Sequence, residues 1–415
     1  MKTKRIVIFG LGQRGTIYAT FARTYPKLFE LVAIIENDAQ RVAFAHEQFT
    51  GVPVFTNYHD FLEQKIQADI LAVSTQDKQH REHAIAMMEA GYNLLLEKPI
   101  APTKEECLAV YEASVRTGQK VIICHVLRYT PFYSAVKRIL DSGRLGDVVT
   151  IHASENVGYY HYAHSFVRGP WRNSASSSPI ILAKCCHDMD IIRYLMGEEC
   201  LSVASYGGLY YFNPEHAPQK ATQYCTDCPH EDCVFKAQSI YTSEQGDFFA
   251  NYFTTKEHTR ENVLGALKHS AYDRCVFACD NDVADHQVTI MQFANGKTAT
   301  HTMSAFSKDI YRDIKIHGTK AELVGVVEKN EVEIRTYGGE TEVIPIDISA
   351  VNVGGHMGGD FFMMHSLYRE LNGEVAEGIT YLDVSLESHL MSFGAEESRN
   401  NNGAYVRIKE GTSVD

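Results

Sequence analysis

The chain has 415 residues, 45% of them apolar and 22% charged, with a net charge of −13 at pH 7. The acidic balance excludes an electrostatic nucleic-acid binder and a polybasic membrane anchor, and no apolar run reaches the length of a signal-peptide core or a spanning helix. The expectation is a cytoplasmic protein of two or more domains, whose ten cysteines are reduced thiols rather than a disulfide framework.

The first predicted elements are a strand over Ile6–Phe9 and an amphipathic helix that stops at Pro26. Between them "GLGQRG" sets Gly10, Gly12 and Gly15 in GxGxxG spacing. Strand, glycine turn and helix together form a dinucleotide-binding arrangement. Gly10 permits the tight turn, Gly12 the approach of a pyrophosphate and Gly15 close helix–strand packing, with Gln13 and Arg14 at the helix start beside the phosphates. A second strand, "ELVAIIEND", ends at Glu36, about 20 residues past Gly15. A carboxylate there accepts the ribose hydroxyls of NAD and repels the extra phosphate of NADP, while Arg41 nearby keeps NADP open. The competing reading of Glu36 is a solvated strand-end charge.

Strands in "ADILAVST", "YNLLLEKPI" and "VIICHVLRY" follow, with the helix "HREHAIAMMEAG" among them. Alternating apolar strands and helices imply a doubly wound parallel sheet, a Rossmann domain placed at residues 1–124. Ligands on such sheets lie at the carboxyl ends of the strands. That brings forward Ser74, Thr75, His80, Glu97 and Lys98 for the cofactor and His125 and Arg128 for the substrate.

Residues 125–415 read differently. A helix over "TPFYSAVKRILDSGRLG" leads to the strand "DVVTIHASE", where Val149, Ile151 and Ala153 alternate with Thr150, His152 and Ser154. Asn295–Gly296 between strand-like runs signals a hairpin. The loop "ENVGYYHYAHSFVRGPWRNSASSSP" offers Tyr159, Trp171 and Arg172, the mix of aromatic faces and hydrogen-bonding groups that a carbohydrate needs, or else a tyrosine-rich surface loop. In "YCTDCPHEDC", Cys225, Cys228 and Cys233 have metal-ligand spacing, and Cys275 or Cys279 from "DRCVFACDND" completes a structural zinc site; free thiols are the alternative.

"EKPIA" downstream of the glycine fingerprint, followed in order by "RYTPFYSAVKRILDSGRLGDV", "HDMDIIRYL", "GTKAEL" and "GHMGGD", resembles the glucose–fructose oxidoreductase / inositol dehydrogenase (Gfo/Idh/MocA) family over nearly the whole chain. The resemblance implies a Rossmann domain, then an α+β domain with an open, mainly antiparallel sheet, often used for homo-oligomers. It also implies hydride transfer between a nicotinamide and a sugar or polyol carbon, with Lys98 as the active-site lysine and His187 as the catalytic histidine. The family commonly has an aspartate four residues before that histidine, where this chain has Ala183 and, next to it, Lys184.

His187, Ile191 and Leu195 share one helix face, so His187 begins a buried helix. An imidazole suits the base that takes a hydroxyl proton. Lys98 and Lys184 would hold the substrate oxygen, and Asp188 would serve as an N-terminal helix charge. The expected function is an NAD-dependent dehydrogenase of a sugar, glycoside or polyol. The alternatives are an NAD-assisted glycoside-cleaving enzyme with no net redox change and a nucleotide-sensing regulator.

Overall fold

Six short apolar runs pair in parallel in the order β3-β2-β1-β4-β5-β6, the doubly wound arrangement expected from the alternation. They are β1 Lys4–Phe9, β2 Phe29–Ile35, β3 Val54–Phe55, β4 Ile70–Val73, β5 Leu94–Leu96 and β6 Val121–Ile123. The central β4 and β5 are buried at every position, because helices cover both faces. The computed structural model describes residues 1–254, 256–349 and 356–408. Gly355 of the "GHMGGD" match lies outside them.

The second sheet has nine strands in the order β14-β13-β12-β11-β7-β10-β9-β8-β15. In chain order these are β7 Val148–Asn156, β8 Cys200–Gly208, β9 His286–Phe293, β10 Thr298–Ser304, β11 Tyr311–Gly318, β12 Ala321–Val326, β13 Glu331–Thr336, β14 Thr341–Pro345 and β15 Val406–Arg407. All neighbours are antiparallel except β7 and β10. Asn295 and Gly296 turn β9 into β10 with φ of 59° and 75°, the two positive values that a tight hairpin turn requires.

One face of this sheet is covered by the helix Cys186–Met196 and the segments before it. The other is open, with Val149, Tyr206, Val288 and Ile290 exposed on it. Val149 therefore departs from the expected inward row. That row runs through Ile151 and ends at Glu155, which is fully buried. Two late helices complete the molecule. Gly359–Leu371 returns to the first sheet and packs Met363, Met364, Leu367 and Tyr368 against β1, β2 and β4 residues. Leu382–Asn400 lies between the two sheets. Among the described residues no helix is long and apolar enough to cross a membrane.

Candidate active site

The fingerprint turn is shaped for a close-lying guest. Gly10 has φ +89°, and a Cβ there would stand 2.8 Å from the Ser74 carbonyl oxygen. A Cβ on Gly15 would stand 1.9 Å from the Gly10 oxygen, so the helix Gln13–Thr24 starts directly against the strand end. Over Gly12, the N-cap of that helix, there is open space instead, and the helix start has no side-chain cap. An open cradle beside uncapped amide N–H groups fits a pyrophosphate. Glu36 closes the far end, accepting N–H groups from Leu11 at 2.6 Å, Asn37 at 2.8 Å and Asp38 at 2.9 Å. Three bonds leave its two oxygens room for one more donor. Arg41 donates to the Leu11 carbonyl at 3.0 Å, over the same loop. The residues present thus fit a dinucleotide.

Several residues expected on the cofactor are instead committed to the protein. Ser74 donates from Oγ to the Gly10 carbonyl at 2.8 Å, supporting the turn from beneath. Arg14 pairs with Glu97 at 2.6 Å and with Asp360 of the returning helix at 2.5 Å. Glu97 also accepts from the Tyr18 hydroxyl. Burial alone would raise the Glu97 carboxyl, but Arg14 and Tyr18 hold it below the usual carboxylate range. His80 is buried, with its ring nitrogens facing the carbonyls of Pro99 at 2.7 Å and Thr75 at 3.1 Å. The Thr75 hydroxyl faces His83 Nδ1 at 3.0 Å. Arg14, His80 and Glu97 therefore brace the strand ends, while Gln13 stays exposed at the helix start.

Lys98 follows β5 and precedes a cis-proline, Pro99. Its Nζ donates to the Ala183 carbonyl at 3.1 Å, one turn before His187. The backbone oxygen of Ala183 occupies the role of acceptor at a position where a family aspartate was expected. His125 packs edge-on against His187, ring centroids 5.8 Å apart, and faces the Ser385 hydroxyl at 2.8 Å. Burial, then the charges of Arg128 and Lys98, press His125 well below the ordinary imidazole range, so it is neutral. Lys98, His125 and His187 thus meet at the domain junction.

Arg128, expected on the substrate, grips both oxygens of Asp190 at 2.6 Å and lies over the Tyr194 ring. It fixes the helix that carries His187. Lys184, expected beside Lys98, pairs with Glu155 at 3.0 Å. Glu155 also pairs with Arg312, whose Nε donates to Asp188 at 2.8 Å. Two carboxylates and two cations balance in this buried row, and Asp188 is an ion-pair partner rather than a bare helix-end charge. Asp188, Cys185 and His301 bring donor atoms within 4.8 Å of one another, but Arg312 already supplies the positive charge there.

The polar loop divides. Tyr159 packs on Tyr160 and Phe235, and Trp171 lies half-buried near Phe166. Arg172 pairs with Asp280 at 2.7 Å, within the insertion between β8 and β9 rather than toward Lys98. The same loop touches the nucleotide domain where Lys78 donates to the Ala175 carbonyl at 2.9 Å. Cys225, Cys228, Cys233 and Cys275 line one small cavity in the insertion.

Residues 4–125 match the oxidoreductase family with an NAD-binding Rossmann fold, and residues 137–349 match that family's C-terminal alpha/beta domain. YteT of Bacillus subtilis (strain 168), an oxidoreductase by name, is 25% identical over 395 residues, 88% of each chain. Inositol 2-dehydrogenase 2 of Saccharopolyspora erythraea is 30% identical over 206 residues, 49% of this chain and 57% of that protein. This chain therefore covers little more than half of that relative's length. In fold, the chain is similar to a levoglucosan dehydrogenase solved with NADH and levoglucosan, with a TM-score of 0.69, 16% identity, and coverage of 99% of this chain and 100% of that one. It is also similar to the WlbA dehydrogenase of Chromobacterium violaceum solved with NADH and UDP-GlcNAcA, with a TM-score of 0.67, 16% identity, and coverage of 100% and 97%.

Proposed function

The chain belongs to the Gfo/Idh/MocA oxidoreductase family, and from that premise we propose that it oxidises a hydroxyl-bearing carbon of a sugar, glycoside or polyol with NAD. The observation that carries the reading is the meeting of Lys98, from the first sheet, with the turn that presents His187. Bound NAD supplies the acceptor for hydride. Gly10, Gly12, Gly15 and Gln13 hold its pyrophosphate, and Glu36 with Arg41 the adenosine ribose. Lys98 fixes the substrate oxygen, and His187 takes the hydroxyl proton as the carbonyl forms. His125, neutral and fully buried, packs the His187 ring in place; Tyr159 and Trp171 are candidates for the aromatic face that a ring substrate needs.

The names of the relatives, inositol 2-dehydrogenase and levoglucosan dehydrogenase, support a cyclic polyhydroxy substrate. Glu36 favours NAD over NADP. The open sheet face with Val288 and Ile290 supports a homo-oligomer. A cytoplasmic setting agrees with ten reduced thiols. The zinc expected on the insertion has no part in the hydride step.

The test is to incubate the protein with NAD and a panel of cyclitols, hexoses and glycosides while following NADH absorbance. NADH formation with a member of the panel is expected. Glycoside cleavage without NADH accumulation would move the reading to the reaction with no net redox change. NAD binding with inertness to the whole panel would favour a regulator.

A further inference from the structure

The insertion between β8 and β9 brings four of its five cysteines to the wall of one cavity. Cys225 and Cys228 close a tight turn, the Cys228 N–H donating to the Cys225 carbonyl at 3.2 Å. Two like turns follow, Lys236 N–H to Cys233 oxygen at 3.0 Å and Ala278 N–H to Cys275 oxygen at 3.0 Å. The first and last lie side by side, because Cys275 N–H donates to the Gln223 carbonyl at 3.0 Å and Tyr224 pairs with Arg274 in an antiparallel bridge. All four cysteines line one cavity of about 20 Å³. That volume holds a single atom-sized guest. His230, also on its wall, faces the Gln219 carbonyl at 2.8 Å. Cys279 stands aside, donating to the Cys275 carbonyl at 3.3 Å.

A second observation is independent of the thiols. Arg168 is 1% exposed, and none of its hydrogen-bond partners among the described residues is a carboxylate. Its Nε donates to the Arg274 carbonyl at 2.7 Å and its Nη2 to the Phe235 carbonyl at 2.7 Å. Nη2 also lies 3.6 Å from Cys225 Sγ, and the guanidinium further meets the Tyr241 hydroxyl. One guanidinium thus touches all three cysteine-bearing segments. A buried cation without an anion is costly. Neutral thiols answer none of this positive charge. Four thiolates on a divalent cation carry a net charge of about −2 and answer all of it.

We infer that Cys225, Cys228, Cys233 and Cys275 bind one zinc ion, with Arg168 as its buried counter-charge. Thiolates on a tetrahedral zinc stand about 3.8 Å apart. Among the described residues no three of these sulfurs lie within 4.8 Å of one another, so binding contracts the three turns. The contraction braces Arg168 at the base of the polar loop that bears Trp171 and Arg172. This site is structural and stands whatever the substrate.

The full chain, purified without a metal-binding tag from zinc-replete growth, is analysed for metals. About one zinc per chain is expected, with the content at least tenfold lower in Cys225→Ser/Cys228→Ser and unchanged in Cys279→Ser. The cobalt-loaded protein should show the visible absorption of tetrahedral cobalt thiolate. Because the double variant risks misfolding, a mercurial titration of the unmodified protein is the second measurement, with zinc leaving as four thiols are blocked. Zinc below about 0.1 per chain, iron in its place, or zinc retained after those four thiols are blocked would overturn the inference.

Discussion

The Lys98 ammonium donates to the backbone oxygen of Ala183 at 3.1 Å, joining the end of β5 to the turn that opens the His187 helix. Replacing Lys98 by Ala should lower kcat about 10²- to 10⁴-fold. NADH affinity, measured by fluorescence titration, should change little. Full turnover in Lys98→Ala would show that the chemistry lies elsewhere.

Glu36 serves the fingerprint loop through three backbone amides while keeping capacity for a ribose hydroxyl. Glu36→Ser should raise the KM for NAD by about tenfold or more, the loss of a charged hydrogen bond. The preference for NAD over NADP should shrink, since the repelling charge is gone and Arg41 remains. Initial-rate kinetics with both coenzymes check this, and an unchanged ratio would count against the ribose role.

Glu155 is buried between Lys184 and Arg312. In Glu155→Leu, Lys184 would lose its carboxylate and Arg312 would keep Asp188 alone. The cost should be about 3–5 kcal/mol, the range for breaking a buried ion pair from one side. Urea unfolding followed by circular dichroism reads it directly. A loss below about 1 kcal/mol would mean that solvent reaches this row.

Burial holds the imidazoles of His161, His164 and His389 at about 3 and that of His83 at about 4. In the unfolded chain they titrate near 6.5. Between those values the unfolded chain binds more protons, so stability falls as the pH drops through that window. Each contributes roughly 1.4 kcal/mol per pH unit while it titrates only in the unfolded chain. Tm should therefore decline steadily from pH 7 to pH 4. His389 donates from Nδ1 to the Ser385 carbonyl and accepts the Ile100 N–H at Nε2. His389→Gln supplies a donor and an acceptor without a titrating group and should flatten the slope.

The parallel sheet was legible in the sequence because its elements repeat a simple period, and the open antiparallel sheet was expected from the family resemblance. Four-residue apolar runs mark β1 and β4, alternation marks β7, and Asn295–Gly296 marks the hairpin of β9 and β10. Strand-end chemistry was less legible. Arg14, His80, Glu97 and Arg128 stand where a ligand would meet them, yet the same positions also face neighbouring loops. Nothing local announces that Arg14 meets Asp360, far along the chain. Glu155 and Arg312 carried a signal that was not used. Each shares strand parity with inward residues, Ile151 for one and Ile314 and Ile316 for the other, so a charge there had to be buried and paired.

The helix Leu382–Asn400 has a consequence for how the molecule is made. Its Ser385 meets His125, its His389 receives the Ile100 N–H, its Glu387 holds Arg193 and the Cys200 N–H, and its Ser398 caps Ser205. Every one of those partners leaves the ribosome well before it. The nascent nucleotide-binding half must wait, with apolar surface uncovered, until this helix has been made, and only then does the junction between the two sheets close.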